Sequence, residues 1–136
     1  LSSRIANWGK QITEPFESSL AELRCAIPRM LRLNTKFLRI MSFAVLPDTD
    51  DQMEAERFRR LREIVAMLSA EGLTALHENC MNYGGMGWEF TLRLIEEVPG
   101  LSLVFDTGNP VFTDDRSHSR PWKKQSAWEF YDHVRE

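Results

Sequence analysis

Two acidic residues stand where catalytic side chains are often found, directly after short apolar runs of the chain. Glu78 follows the run at 73–77, and Asp106 follows the run at 101–105. If these runs are neighbouring parallel strands, about 4.8 Å apart, both carboxylates project from one rim of a sheet. Carboxylate oxygens suit Mg²⁺ or Mn²⁺, and a histidine would complete a mixed site. The pair therefore predicts a site for one divalent metal ion.

Each carboxylate also has a structural explanation. Glu78 could form an ion pair with Arg39 on the adjacent predicted strand. Asp106 could cap the turn that follows it through the backbone, as aspartate often does. For either residue alone we favour the structural explanation. For the two together we favour the metal site, because they occupy equivalent strand ends.

Other polar residues are predicted at the same rim. Asn7 and Trp8 end the first predicted strand and could line a sugar pocket, although a packed tryptophan fits equally well. Asn79 and Asn109 could orient the carboxylates or contact substrate hydroxyls. His77 precedes Glu78 and points to the opposite face of its strand, so we expect a structural role for it.

Two further features of the strand ends have simple explanations. Cys80 has no neighbouring base in the sequence pattern, so we expect an inert thiol. The glycine-rich loop at 84–87 opens a helix and could hold an anion, but it is also typical of a flexible turn between a strand and a helix.

The apolar periodicity predicts four consecutive βα units in a single domain over residues 1–136. Strands are expected near 3–8, 36–43, 73–79 and 101–106, and helices near 15–33, 51–71, 88–98 and 126–136. The second strand lacks clean alternation, which is typical of a strand covered on both faces. An α/β fold with parallel strands follows, either an open doubly wound sheet or part of a (β/α)8 barrel. The polar connection at 106–125 is long enough to suggest a functional loop.

The composition narrows the class of protein. The chain has 136 residues, of which 43% are hydrophobic, and 20 acidic against 17 basic residues give a net charge of -3. This charge argues against nucleic-acid binding, and no apolar run approaches the length of a membrane span. Two cysteines in a chain without a signal-peptide pattern favour a reducing, cytoplasmic location. The chain begins in strand-like and ends in helix-like sequence, which suggests a piece of a longer protein.

Four segments resemble the sugar phosphate isomerase/epimerase family, whose members share the xylose isomerase-like barrel. The segments are EPFESSLAELRCAIPRM, FLRIMSF, LTALHEN and LSLVFDTGNPV, which together span nearly the whole chain. The resemblance implies half of a (β/α)8 barrel. It also implies one metal ion, Mn²⁺ before Mg²⁺, Co²⁺ or Zn²⁺, held by Glu, Asp, His and Glu on four successive strands. Glu78 matches the first ligand and Asp106 the second, and the other two are expected after Glu136.

The resemblance further implies a sugar or sugar phosphate as substrate, in the form of a hydroxy ketone or an aldose. In such enzymes the metal stabilises the enediolate that forms when the proton next to the carbonyl is removed. Glu78 is expected to be one of two glutamates that take and return this proton. With two of four ligands, this chain alone should bind metal weakly and show no turnover.

Several alternatives remain at this stage. A dehydratase or a metal-dependent hydrolase on the same barrel would keep both carboxylates, although a nucleic-acid repair enzyme would need histidine in place of Asn109. The sequence Asp-Thr-Gly at 106–108 also matches aspartic proteases, whose nearly all-β fold disagrees with the helical periodicity. A non-catalytic module is the last alternative. A half barrel leaves sheet edges uncovered, so we expect self-association, most simply as a homodimer.

Overall fold

The computed structural model describes residues 1–135, in which three parallel strands alternate with four α-helices. In chain order, α1 spans Glu17–Arg32, β1 Phe37–Ile40, α2 Glu54–Ala70, β2 Thr74–Glu78, α3 Trp88–Glu97, β3 Ser102–Val104 and α4 Ala127–Val134. Short 3-10 turns occupy Tyr83–Met86 and Asn109–Val111. The predicted α/β class and the four helices are confirmed. The last predicted helix includes Glu136, which lies outside the described residues.

The sheet has the order β1-β2-β3, and every neighbouring pair is parallel. Phe37 lies opposite Thr74 in the first pair, and Glu78 lies opposite Val104 in the second. Consequently the carboxyl ends of all three strands lie at the same end of the sheet. These three strands are each shorter than predicted, by two to four residues.

The predicted first strand near 3–8 is wrong as a regular strand. Ser2 forms a single bridge with Arg39, and the following residues run alongside β1 without a continuous ladder. The Ser3 hydroxyl donates to the Arg39 carbonyl at 2.7 Å. Ala6 then adopts a left-handed φ of 52°, which turns the chain out of the extended path. The segment is therefore an irregular edge of the sheet.

The two faces of the sheet differ in burial. Leu38, Ile40, Ala75 and His77 alternate along β1 and β2 and are buried on the face that α2 covers. Phe37, in contrast, is 54% exposed on the other face, which we call the inner face. The prediction that β1 is covered on both sides is wrong for residues 1–135, since none of the described elements lies over the inner face.

The core lies between the sheet and the helices. It contains aliphatic and aromatic side chains from the helices α1, α2 and α3, from β1 and from the turn after β2. They include Leu23, Met30, Leu38, Ile40, Phe58, Leu61, Ile64, Leu68, Tyr83 and Leu94. Amphipathic helices of this kind bury one stripe against the sheet and leave the polar stripe in solvent. Among residues 1–135, no helix combines the length and the apolar character needed to cross a membrane.

Candidate metal and substrate site

Glu78 is the last residue of β2 and lies on the inner face of the sheet. Arg39 Nε of β1 lies 2.9 Å from Glu78 Oε2, so the ion pair foreseen as a structural explanation is present. The Asn109 amide reaches Glu78 Oε1 at 3.4 Å, a long contact. The carboxylate side chain is 19% exposed and lines an open trough of about 360 Å³ with Arg39, Leu76 and Val104. Glu78 is therefore oriented by the protein and still accessible.

Asp106 follows β3 and is exposed at the same end of the sheet. Its Oδ1 accepts a hydrogen bond from the Gly108 amide at 2.8 Å, which is the predicted cap of its own turn. Within residues 1–135, Oδ2 accepts no hydrogen bond. One carboxylate oxygen thus serves the fold, and the other is available to a ligand.

Asn79 holds the two strand ends together. Its Nδ2 donates to the Asp106 carbonyl at 3.0 Å, and its Oδ1 accepts from the Asp106 amide at 2.6 Å. Asn79 is 4% exposed, and both of its side-chain polar atoms are engaged in these contacts. Its predicted contact with substrate hydroxyls stays a prediction.

The donor chemistry of this rim fits part of a divalent-metal site. Two carboxylates on adjacent strand ends are the hard oxygen ligands that Mg²⁺ and Mn²⁺ prefer. Residues 1–135 contain no group of three or more His, Cys, Asp or Glu side chains arranged to hold a metal ion. Glu78 and Asp106 would therefore supply two of the ligands, and the rest of the coordination would have to come from elsewhere.

Asn7 and Trp8 lie at the end of the irregular edge segment. Asn7 Oδ1 accepts from the Gly9 amide at 3.1 Å, a local turn contact, and Trp8 is 53% exposed. Neither residue forms a hydrogen bond with Glu78 or Asp106 within the described chain. The prediction that they line a sugar pocket stays a prediction.

A buried polar cluster lies behind Glu78, on the helix side of the sheet. His77 Nε2 is 3.0 Å from Ser42 Oγ and 3.1 Å from Asn82 Oδ1, and its Nδ1 is buried with no partner in residues 1–135. Burial lowers the pKa of His77 to about 4, opposed by the hydrogen bond that His77 makes to Asn82. The position of His77 on the opposite face from Glu78 agrees with the structural role predicted for it.

Cys80 and the glycine loop serve packing. Burial is the main factor that raises the pKa of the Cys80 thiol, and the charges of Glu78 and Asp106 raise it further, which fits the predicted inert thiol. A Cβ at Gly85 would lie 1.7 Å from the Cys80 carbonyl oxygen, and one at Gly84 would meet the His77 ring at 2.4 Å. The loop is thus glycine-rich because its backbone packs tightly, and neither an anion site nor a flexible turn describes it.

The long connection after β3 contains residues that the sequence analysis did not single out. Arg116 and Arg120 both place their guanidinium groups over the ring of Trp122, at 4.2 and 4.4 Å from its centroid. The signal was available as two arginines and a tryptophan within seven residues. It was missed because the segment has no periodicity that predicts where its side chains lie.

Comparisons with known proteins place this fold in a family. A family model described as xylose isomerase-like TIM barrel matches residues 2–135. A xylose isomerase-like TIM barrel protein from Mycobacterium smegmatis, solved in complex with magnesium, is 17% identical with a TM-score of 0.70, and the match covers 98% of this chain and 46% of that one. The probable 3-DHS dehydratase AsbF from Bacillus anthracis is 16% identical with a TM-score of 0.67, over 98% and 45% of the two chains.

A D-tagatose 3-epimerase-like protein is also 16% identical with a TM-score of 0.67, over 99% of this chain and 51% of that one. No curated protein matches the sequence significantly. The chain spans about half the length of the solved structures it matches, and at these identities the likeness establishes the fold alone. Together with the family match over nearly the whole sequence, it shows that this chain belongs to the xylose isomerase-like TIM barrel family and forms about half of such a barrel.

Proposed function

We propose that this chain is part of a metal-assisted sugar or sugar phosphate isomerase or epimerase. The observation that carries the proposal is the pair of carboxylates, Glu78 and Asp106, at adjacent strand ends of a xylose isomerase-like fold. A solved relative in complex with magnesium and another that is D-tagatose 3-epimerase-like support a divalent metal and this reaction class. We propose Mn²⁺ as the metal.

The residues of this chain would act on a hydroxy ketone or an aldose at the inner face. Glu78 would take or return the proton next to the carbonyl, because its carboxylate borders the open trough. Arg39 holds Oε2, which leaves Oε1 directed toward Asn109 and the rim. Asp106 would bind the metal through Oδ2. A bound divalent cation would stabilise the negative charge that develops on the substrate oxygens.

Calorimetric titration of the chain with Mn²⁺ tests the metal site. We expect weak binding that falls at least about tenfold in Glu78→Gln and in Asp106→Asn, because each loses a charged oxygen ligand. Glu63→Gln is the matched control, since Glu63 lies on α2 and forms an ion pair with Arg59. Tight binding that ignores the Glu78→Gln change would contradict the assignment.

Dehydration is the second candidate, favoured by the likeness to a probable 3-DHS dehydratase. Both reactions begin with removal of a proton next to a carbonyl, so both would use Glu78. In a protein that carries this chain within a complete barrel, solvent deuterium would enter a ketose substrate during isomerisation or epimerisation. Loss of water from a hydroxy acid, followed by NMR, would identify the dehydratase instead. Glu78→Gln should abolish either activity.

We also propose a homodimer and a cytoplasmic location for the chain. The uncovered inner face, with Phe37 and Val104 exposed by 54% and 38%, supports self-association. Both cysteines, Cys25 and Cys80, are free thiols, which supports a reducing compartment.

A further inference from the structure

A second cavity opens between the loop after β1 and the loop after β3. It has a volume of about 690 Å³, and its walls include Asp48, Asp50, Phe90, Arg116, Arg120 and Trp122. Both loops follow the carboxyl ends of strands, so the cavity lies at the same end of the sheet as Glu78 and Asp106. A polyhydroxylated molecule of a few carbon atoms fits a space of this size.

The two arginines of this cavity have donors to spare. Arg116 Nη1 reaches the Leu46 carbonyl at 3.4 Å, and Arg120 Nη2 reaches the Pro47 carbonyl at 3.5 Å, so each makes one long hydrogen bond. In the part of the chain that the structure describes, no carboxylate lies within ion-pair distance of either guanidinium. A guanidinium carries five N–H donors in a planar fork that matches carboxylate and phosphate oxygens. Most of these donors are free for a ligand.

The loop that carries the arginines is held in place. The backbone amide of Arg116 donates to the Met86 carbonyl at 2.7 Å, and the backbone amide of Asp115 donates to the Lys123 carbonyl at 2.8 Å. The Gln125 side chain donates to the Gly85 carbonyl at 2.7 Å. Because the backbone is already fixed, a ligand would not have to order the loop when it binds.

The lining of the cavity carries charges of both signs. Burial is the main cause that lowers the pKa of Arg116, and the charge of Arg120 lowers it further. The charges of Asp114, Asp48 and Asp50 raise it. An oxyanion bound beside both guanidinium groups would offset the repulsion between the two cations. Asp48 and Asp50 also line the cavity, and their carboxylates can accept hydrogen bonds from hydroxyl groups. The cavity thus suits a molecule with an anionic end and a hydroxylated end.

We infer that this cavity binds the oxyanion, phosphate or carboxylate, of a sugar derivative through Arg116 and Arg120. Both guanidinium groups pack against the Trp122 ring, at 4.2 and 4.4 Å from its centroid. The identification of this sugar derivative as the substrate rests on the proposed function. The binding itself does not, because none of the residues involved belongs to the metal site.

Calorimetric titration of the 136-residue chain with three sugars tests the inference. Fructose 6-phosphate carries a phosphate, glucuronate carries a carboxylate, and fructose is the neutral reference. We expect at least one anion to bind about tenfold more tightly than fructose, and Arg120→Gln to remove this preference. Arg32→Gln is the matched control, because it makes the same charge change at the exposed end of α1. Arg120 is exposed, so its replacement should leave the core intact.

The outcomes separate the two proposals. A preference for only one of the anions supports the inference and assigns the group that binds. Equal affinity for all three sugars, or an anion preference that Arg120→Gln does not change, overturns it. Glu63→Gln should leave anion binding unchanged, because Glu63 lies on α2 in an exposed ion pair. If the anion preference holds while Mn²⁺ binding ignores the Glu78→Gln change, the metal assignment fails and the anion site stands.

Discussion

His77 of β2 belongs to a buried hydrogen-bond network with Ser42 and Asn82. Asn82 Nδ2 donates to the Glu78 carbonyl, so its Oδ1 faces His77, and the Ser42 hydroxyl also donates to that oxygen. His77 Nε2 must then carry the hydrogen, because Asn82 Oδ1 can only accept. The proton of a charged imidazole would have to sit on Nδ1, which has no acceptor within residues 1–135. Protonation of His77 therefore opposes folding.

Acid should destabilise the protein through this histidine. The pKa of His77 is about 4 in the folded chain against 6.5 for the free residue, so the unfolded state binds the proton first as the pH falls. The contribution of His77 to the free energy of unfolding is fully present above pH 6.5 and is lost as the pH falls toward 4. The loss is about 3 kcal/mol, at 1.36 kcal/mol per pKa unit.

Urea unfolding of the wild type and of His77→Gln between pH 7.5 and 4.5 measures this contribution. The variant lacks the titrating group while the carboxylates are common to both proteins, so its stability should fall less steeply with acid. Equal slopes in the two proteins would show that His77 does not carry the effect.

At the scale of elements, a buried arginine organises the connection from β1 to α2. Arg57 is fully buried on α2, and its Nη1 and Nη2 donate to the carbonyls of Ser42 and Ala44, both at 2.7 Å. Its Nε donates to the Gln52 carbonyl. Burial lowers the pKa of Arg57 to about 10, so it remains charged at neutral pH. One side chain thus donates hydrogen bonds to three backbone carbonyls of the loop between β1 and α2.

Replacement of Arg57 should be costly. We expect Arg57→Met to lower the free energy of unfolding by about 3 kcal/mol, because buried carbonyls lose their donors while the burial cost of the charge is also removed. Arg59→Met on the same helix is the control, since exposed ion pairs are worth about 1 kcal/mol or less. Chemical denaturation compares the two, and equal losses would contradict the role given to Arg57.

The elements also show what the sequence can and cannot predict. Helices α1 to α4 are predicted to within a few residues, because apolar spacing of 3 and 4 reports directly on a buried stripe. The first strand is not, because the Ser3 hydroxyl and the left-handed Ala6 interrupt a ladder in a segment whose residue types favour strand. At the rim, the position of Glu78 and Asp106 follows from strand ends. The contacts of Asn79 and of the Arg116 loop depend on long-range packing, which has no local signal.

The whole molecule is a half barrel with one covered and one uncovered face. The helices bury the outer side of the sheet, and the inner side exposes apolar groups beside the Arg39–Glu78 ion pair. In a complete barrel such residues fill the centre in layers. In this chain they form a surface that favours association with another apolar surface.

Sedimentation velocity should detect this association. We expect dimers at micromolar concentration, and Phe37→Lys should weaken the dimer at least about tenfold, because it places a charge where an aromatic ring would be buried. Leu31→Lys is the control, since Leu31 is 50% exposed on α1, away from the inner face. A wild-type monomer at these concentrations would contradict the proposed homodimer.

The two hydrogen bonds between the Asn79 side chain and the backbone of Asp106 fix the spacing between the ends of β2 and β3. Glu78 and Asn79 are consecutive in the chain, so the backbone span between the two carboxylates is set by one covalent link and two hydrogen bonds. An arriving cation would find this span fixed and would have only side-chain rotations to adjust. Discrimination among divalent ions would then follow ionic radius, because the ion whose metal–oxygen distance matches the opening is favoured over larger or smaller ones.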